Sequence, residues 1–244
     1  MDNYKTSMKY DLKEVQDYYS KSIIKTEQQK YLEKLLLEDE NFLSKNEIAD
    51  IACGGGTLSY HLSFLSKESH FTLVDYMEES LITSKEIHKD NLDKVSFQKG
   101  DIYKLNFSEN QFDFTFCWQT LSWLEAPENA LLELVRITKP GGKIYISSLF
   151  NLEHDVDIYS KVYDRTRNSG KKGEYMFYNT YSYFSVLKWL ENKVQNFKIH
   201  KFDTNIEFFY NERGLGTFTK KCEDGLLQIS GGILMNWGIL EIEV

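Results

Sequence analysis

The residues best suited to chemistry cluster in the first half of the chain. Cys53-Gly54-Gly55-Gly56 follows a short apolar run and precedes Thr57-Leu58-Ser59-Tyr60-His61-Leu62, which has helical spacing. A glycine cluster joining a buried strand to a helix lets a ligand come close to the backbone, and the helix N-terminus offers it unpaired N–H groups. Gly54 and Gly56 sit where that approach would happen; the alternative for the cluster taken alone is a tight turn with no ligand. Asp75 lies nineteen residues after Gly56, at the end of a second apolar run, where a carboxylate in an open α/β sheet accepts hydrogen bonds from two ribose hydroxyls. Its plainer role is a helix cap. A third run ends in Gly100-Asp101-Ile102, an acid beside an apolar residue suited to an adenine amino group and ring.

These positions need strands to aim them. Residues 47–52, 70–74, 95–98, 112–117 and 143–148 read as strands separated by helical stretches or polar turns, which implies crossovers and a parallel sheet. Residues 11–38 read as helix, interrupted at 18–20. Pro127 suits a first helical turn, Leu131, Leu134 and Val135 line one face, and Pro140-Gly141-Gly142 is expected to stop that helix. Beyond Phe150 the polar stretch 151–173 and an aromatic tract at 175–184 suggest an inserted cap. Residues 185–194 follow as helix, 197–202 as strand, 217–221 with 226–230 as a hairpin, and 237–244 as a last strand. The organisation expected is a helical cover at 1–45, a ligand-binding core at 46–150, a cap at 151–195, and strands completing the sheet at 196–244.

Composition narrows the partners. The 41% of hydrophobic residues among 244 suffices for a sizeable core. A net charge of −8 would repel a phosphate backbone, so nucleic acid is not an expected partner. No apolar run approaches membrane-spanning length and the start has no apolar signal-like region, so neither membrane nor export is expected, and the location expected is cytoplasmic. Cys53, Cys117 and Cys222 form no metal-ligand spacing and fit a reducing compartment, with no metal expected.

With these motifs in hand, the sequence resembles the class I S-adenosylmethionine-dependent methyltransferases over roughly residues 47–148. Asp50-Ile51-Ala52-Cys53-Gly54-Gly55-Gly56 is similar to the family's first motif, with Ala52 where its first glycine stands. Leu73-Val74-Asp75 resembles the acidic second motif, Gly100-Asp101-Ile102 the third, Phe112-Asp113-Phe114-Thr115-Phe116 the fourth strand, and residues 134–142 the helix and turn before strand five. The resemblance implies an α/β, Rossmann-like, seven-stranded and mostly parallel sheet in order 3-2-1-4-5-7-6, with strand seven antiparallel, helices on both faces and a small cap insert. It implies S-adenosyl-L-methionine as cofactor, held by Tyr19, Lys21, Asp50, Ala52, Cys53, Gly54, Gly56, Asp75, Tyr76, Gly100, Asp101, Ile102, Trp118 and Gln119. A dinucleotide dehydrogenase shares the glycine turn and ribose carboxylate, but Ser59 occupies the place of its third glycine.

The acceptor side is read from the later segments. His154 is the candidate general base, Trp123 lines the expected transfer pocket, and Arg165, Arg167, Tyr175, Tyr178 and Tyr181 form a lid of cations and phenols. A solvated loop over an aromatic mini-core is the alternative for that lid. The Asn-Pro-Pro-Tyr type sequence is absent at 117–120, which disfavours nucleobase amines and glutamine amides. The function expected is methylation, at oxygen, of a small polar metabolite or a sugar- or phosphate-bearing intermediate by a monomer or homodimer. The alternatives are a non-catalytic S-adenosylmethionine-binding regulator and a protein or RNA methyltransferase.

Overall fold

The computed structural model describes residues 16, 23–152, 154–163, 175–202, 218–222, 225–230, 233–234 and 236–244. Its first described helix, α1 (Glu27–Leu37), starts where Thr26 and Gln29 cap each other: Thr26 Oγ1 accepts from Gln29 N at 3.3 Å, and Gln29 Oε1 accepts from Thr26 N at 2.8 Å. The chain then alternates β1 (Glu47–Ile51), α2 (Thr57–Ser63), β2 (His70–Asp75), α3 (Glu78–Ile87), β3 (Val95–Lys99) and β4 (Phe112–Trp118). A 3₁₀ turn (Leu121–Trp123) leads to α4 (Pro127–Ile137) and β5 (Thr138–Asn151). Two-residue strands β6 (Lys161–Val162), β7 (Met176–Phe177) and β8 (Tyr181–Ser182) precede α5 (Tyr183–Leu190), and β9 (Asn196–Phe202), β10 (Phe218–Cys222), β11 (Gly225–Ser230), β12 (Ile233–Leu234) and β13 (Asn236–Glu243) close the sequence.

The main sheet runs β3-β2-β1-β4-β5-β13-β9. Its first five strands are parallel, and β13 is antiparallel to both neighbours. Ranked in chain order along that path, the seven strands read 3-2-1-4-5-7-6. An eighth, β8, pairs in parallel with β5 at Phe150 and Asn151. Because β4 stops pairing at Ser147, this short strand takes up the free edge of β5 beyond it.

Side-chain alternation feeds two apolar layers, as a sheet covered on both faces requires. Ile48, Phe114, Phe116 and Tyr145 pack with Leu32 and Leu36 of α1 on one face. Ala49, Ile51, Ile144 and Ile146 pack with Leu131 and Leu134 of α4 on the other. Aromatic geometry locks the first layer: Phe116 stacks on Tyr145 at 5.6 Å and Phe42 meets Phe114 edge-on at 5.2 Å.

Several boundaries differ from expectation. Pro140-Gly141-Gly142 does not end α4, which already stops at Ile137; it forms a bulge inside β5, opposite the register shift between Phe112 and Phe114. Gly141, at φ 80, donates its N–H to Val244 O at 2.6 Å, so the turn pins the last strand's end. The helix expected at 185–194 starts two residues earlier, where the Ser182 hydroxyl accepts from Ser185 N, and ends at Leu190. The cap also contains a β6–β7 ribbon, and β12 adds a third strand to the late hairpin. The hairpin's turn at 223–224 and residues 11–15 and 17–22 of the expected first helix lie outside the described residues. Among the described residues, no helix is long and apolar enough to cross a membrane, and no group of three or more His, Cys, Asp or Glu could hold a metal.

One polar knot crosses the first layer. Lys143 Nζ lies 3.0 Å from Asp39 Oδ2 and 3.2 Å from Glu241 Oε1; Tyr145 Oη donates to Glu241 at 3.1 Å, and His200 Nε2 lies 2.9 Å from its other oxygen. The His200 hydrogen bond, with Lys143 and Tyr145 and against the burial, holds the Glu241 carboxyl down at about 2. A depressed carboxyl contributes stability above its unfolded value of 4.5 and loses it as pH falls toward 2. Glu241→Gln is therefore expected to be less stable than wild type at neutral pH, with the gap narrowing steadily below about pH 4.5 in urea titrations; a gap independent of pH would contradict this account.

Candidate functional site

The strand order reverses at β1, which has β2 on one side and β4 on the other. In open α/β sheets the crevice at such a switch point, beyond the carboxyl ends of the strands, is where ligands bind. Leaving β1, the chain enters left-handed backbone three times: Ala52 at φ 58, Gly54 at φ 55 and Gly56 at φ 72. For Ala52 this costs on the order of 1–2 kcal/mol, which is the physical reason a glycine suits that place. A side chain at Gly56 would be strained at φ 72, and its Cβ, 2.2 Å from Ser84 Oγ and 2.8 Å from Leu73 Cδ2, would displace both. The turn stays tied to the sheet by Cys53 N, which donates to Val74 O at 2.9 Å.

Asp75 organises the crevice. Its Oδ2 accepts the Gly54 N–H and its Oδ1 the Met77 N–H, both at 2.8 Å, and its own carbonyl accepts from Gly100 N at 3.0 Å. One residue thus fastens the glycine turn, the start of α3 and the end of β3. Burial pushes its pKa up against these bonds. The Ser80 side chain and the Tyr76 backbone add further hydrogen bonds to this carboxyl. Beside it Tyr76 is half-buried, Asp101 Oδ1 accepts from Tyr103 N at 3.1 Å, and Ile102 is buried.

Asp50 occupies a different place from that expected of a crevice residue. At 1% exposure it lies under the turn, where its Oδ2 accepts from Ser59 Oγ at 2.6 Å and ties β1 to α2. Ser59, at the place of a dehydrogenase's third glycine, has this bond as its role. Burial raises Asp50 to about 7, opposed by the Ser59 bond and assisted by the nearby Asp75 charge. Burial also pushes the Cys53 thiol well up and Cys117 up to about 12, so neither is a ready thiolate.

Across the crevice, β4 ends in half-buried Trp118, and Gln119 follows at φ 52. Gln119 N donates to Ser147 O at 2.9 Å, while its Nε2 donates to Gln28 Oε1 at 2.8 Å. Buried Gln28, the second residue of α1, also accepts from Ser147 Oγ at 3.2 Å. Gln28 was not expected at the site. Its helix start is legible from Thr26 and Gln29, but no local spacing announces a partner ninety-one residues away.

The acceptor candidates divide. Trp123 and Tyr178 are half-buried with ring centroids 4.7 Å apart, and half-buried Tyr175 lies under Lys161 Nζ at 4.6 Å. Tyr181 is not a pocket residue: it is fully buried, and its hydroxyl sits among Leu121 O, Leu124 O and Asn179 Nδ2 at 3.0–3.3 Å. The aromatic tract put it in the lid, but packing on Trp189 at 5.3 Å makes it core. Buried Asn179, which also donates to Leu124 O at 3.0 Å, joins it in fastening the cap to the segment after β4. His154 is exposed on the loop after β5, with its backbone N–H on Asn151 Oδ1 at 3.1 Å. Tyr19, Lys21, Arg165 and Arg167 lie outside the described residues.

Comparison with known proteins bears on this arrangement. A family model described as a methyltransferase domain matches residues 49–146. The chain is 34% identical over 105 residues to a malonyl-[acyl-carrier protein] O-methyltransferase of Erwinia billingiae, covering 42% of this chain and 39% of that one. It is 30% identical over 121 residues to a ubiquinone biosynthesis O-methyltransferase of Rickettsia conorii, covering 48% and 41%. The chain thus spans about two fifths of the length of these curated relatives. Among solved structures, a SAM-dependent methyltransferase from Aquifex aeolicus has the same fold, with TM-score 0.54 at 19% identity over 97% of this chain and 100% of that one.

Asp50 offers a test of the site's electrostatics. Its folded value of about 7 lies above the ordinary 3.8, so its contribution is fully present below pH 3.8 and is lost as pH rises through 7. Asp50→Asn keeps the shape and the Ser59 bond without the charge. Between about pH 4 and about pH 8 the stability difference should shift toward the variant by on the order of 1–3 kcal/mol. Parallel urea curves at the two pH values would refute the placement of Asp50 as a buried acid.

Proposed function

We propose that this chain, whose residues 49–146 match a family model described as a methyltransferase domain, is a class I S-adenosylmethionine-dependent methyltransferase that methylates a small polar acceptor, a metabolite or a sugar- or phosphate-bearing intermediate, at oxygen. The observation that carries the reading is the double anchoring of Asp75, which makes the glycine turn and the second-strand carboxylate one unit at the switch point. The residues present fit S-adenosylmethionine: the left-handed turn brings backbone close to a ligand, Asp75 sets a carboxyl at the strand end where ribose hydroxyls would lie, Asp101 and Ile102 suit an adenine, and half-buried Trp118 offers a ring face to a sulfonium. When bound, the cofactor supplies an electrophilic methyl group on sulfur.

The chain's own task is then to align an acceptor lone pair and exclude water. Trp123 and Tyr178 form the acceptor wall in this reading, with Tyr175 at its rim, and Arg165 and Arg167 are the cations proposed to bind the acceptor. A hydroxyl acceptor must lose a proton, and His154 is the base proposed for it. Oxygen as the target draws support from the relatives, both named as O-methyltransferases. In the same reading residues 1–45 cover the cofactor through Tyr19 and Lys21, 46–150 bind it, 151–195 meet the acceptor, and 196–244 complete the sheet.

Calorimetric titration tests the cofactor half: S-adenosylmethionine should bind, and no heat at millimolar ligand would end the proposal. Asp75→Ala should weaken that binding by roughly 1–3 kcal/mol, whereas an unchanged affinity would place the ribose elsewhere. Acceptor screening for S-adenosylhomocysteine release tests turnover. With an acceptor found, His154→Ala should depress kcat and leave cofactor affinity alone; full turnover in the variant would mean that another group, or none, removes the proton.

A further inference from the structure

The proposed function makes no use of the polar pair buried behind the glycine turn. His88 caps the C-terminal end of α3 at 0% exposure, and its Nε2 lies 2.9 Å from Gly56 O. A carbonyl only accepts, so the proton sits on Nε2 and Nδ1 is left with a lone pair. That Nδ1 has no partner, nor has the buried Ser84 Oγ one helical turn earlier. Unpartnered buried polar atoms are costly, and an aliphatic or phenyl side chain would fill the space without them. What the imidazole supplies that those could not is one directed bond to the turn. Edge contacts hold the ring for it, with Tyr60 at 5.9 Å and Phe97 at 6.2 Å.

The bond falls at a sensitive place. Gly56 is the left-handed residue that starts α2, and its carbonyl also accepts from Tyr60 N at 2.9 Å, closing the helix's first turn. At the opposite end of α3, Met77 N–H is bound by Asp75. A single helix therefore spans the crevice's carboxylate and the back of its turn, and fixes one against the other.

We propose that His88 is a positioning residue for the cofactor: through Nε2–H it holds the Gly56 peptide in the orientation the ligand meets. The inference rests on the proposed cofactor reading. His88→Leu should weaken S-adenosylhomocysteine binding roughly tenfold by calorimetry. His88→Gln, whose amide can donate in place of Nε2, should restore it to within about threefold. With an acceptor in hand, the leucine variant should raise KM for S-adenosylmethionine and leave kcat close to wild type. Equal affinities in wild type and the leucine variant, or a glutamine variant as weak as leucine, would overturn the role; a wild type that binds nothing would instead overturn the cofactor reading. Should the leucine variant fail to fold, the wild type still decides. ¹⁵N-histidine spectra should show His88 as the Nε2–H tautomer and its ring signals should move when S-adenosylhomocysteine is added. An Nδ1–H tautomer, or signals that stay still while the ligand binds, would sink the proposal.

Discussion

The Gly54 N–H donates to a carboxylate that is itself nine-tenths buried, and the shape of the crevice follows from that bond. Charge-assisted hydrogen bonds are the strong ones, and burial strengthens them further by removing competing water. The same burial makes the carboxylate hard to leave unpaired, so Asp75 gathers backbone donors from either side. A left-handed excursion at residues 52, 54 and 56 would be a liability on a free loop. Here it delivers an N–H to that oxygen while Cys53 stays bonded to Val74.

Around this centre the molecule divides its polar work. Beneath the turn, Asp50 and Ser59 lock strand to helix, and behind it His88 holds a carbonyl. Far from the crevice, Glu241 collects Lys143, Tyr145 and His200 and thereby joins β5, β13 and β9. None of these groups is an ornament on an apolar core. Asp50 and His88 are buried and Glu241 is partly buried; the cost of each is offset only while its partners stay in place, so each favours one arrangement of neighbouring elements over near alternatives.

Much of this was legible in the residues. The alternation of apolar runs with helical spacing, and glycine or acid at the run ends, located β1 to β5 to within a few residues, apart from the start of β5. Family resemblance supplied the order of the last two strands, which no local pattern contains. Hidden from the sequence were the contacts closed by topology: Gln28 reaching Gln119, His88 reaching Gly56, and Tyr181 turning inward. An aromatic tract looks alike whether it lines a cavity or fills a core. Tyr178 and Tyr181 differ by three positions, yet the first stays half-buried against Trp123 and the second is fully buried where β8 pairs with β5. Pro140-Gly141-Gly142 was misread for a related reason: a helix-stopping signature and a bulge use the same residues, and the pairing partner decides between them.

The two-residue strand β8 borrows the edge of β5 that β4 leaves vacant. The pairing itself is main-chain, and the demands on side-chain identity fall on the two residues of β8, Tyr181 and Ser182. In the proposed function, the cap that would meet the acceptor is therefore mounted on the sheet much as a fitting is mounted on a rail. Descendants of such a chain could exchange the exposed residues of the cap for others while the crevice at the switch point, built from β1 to β4, went on unaltered.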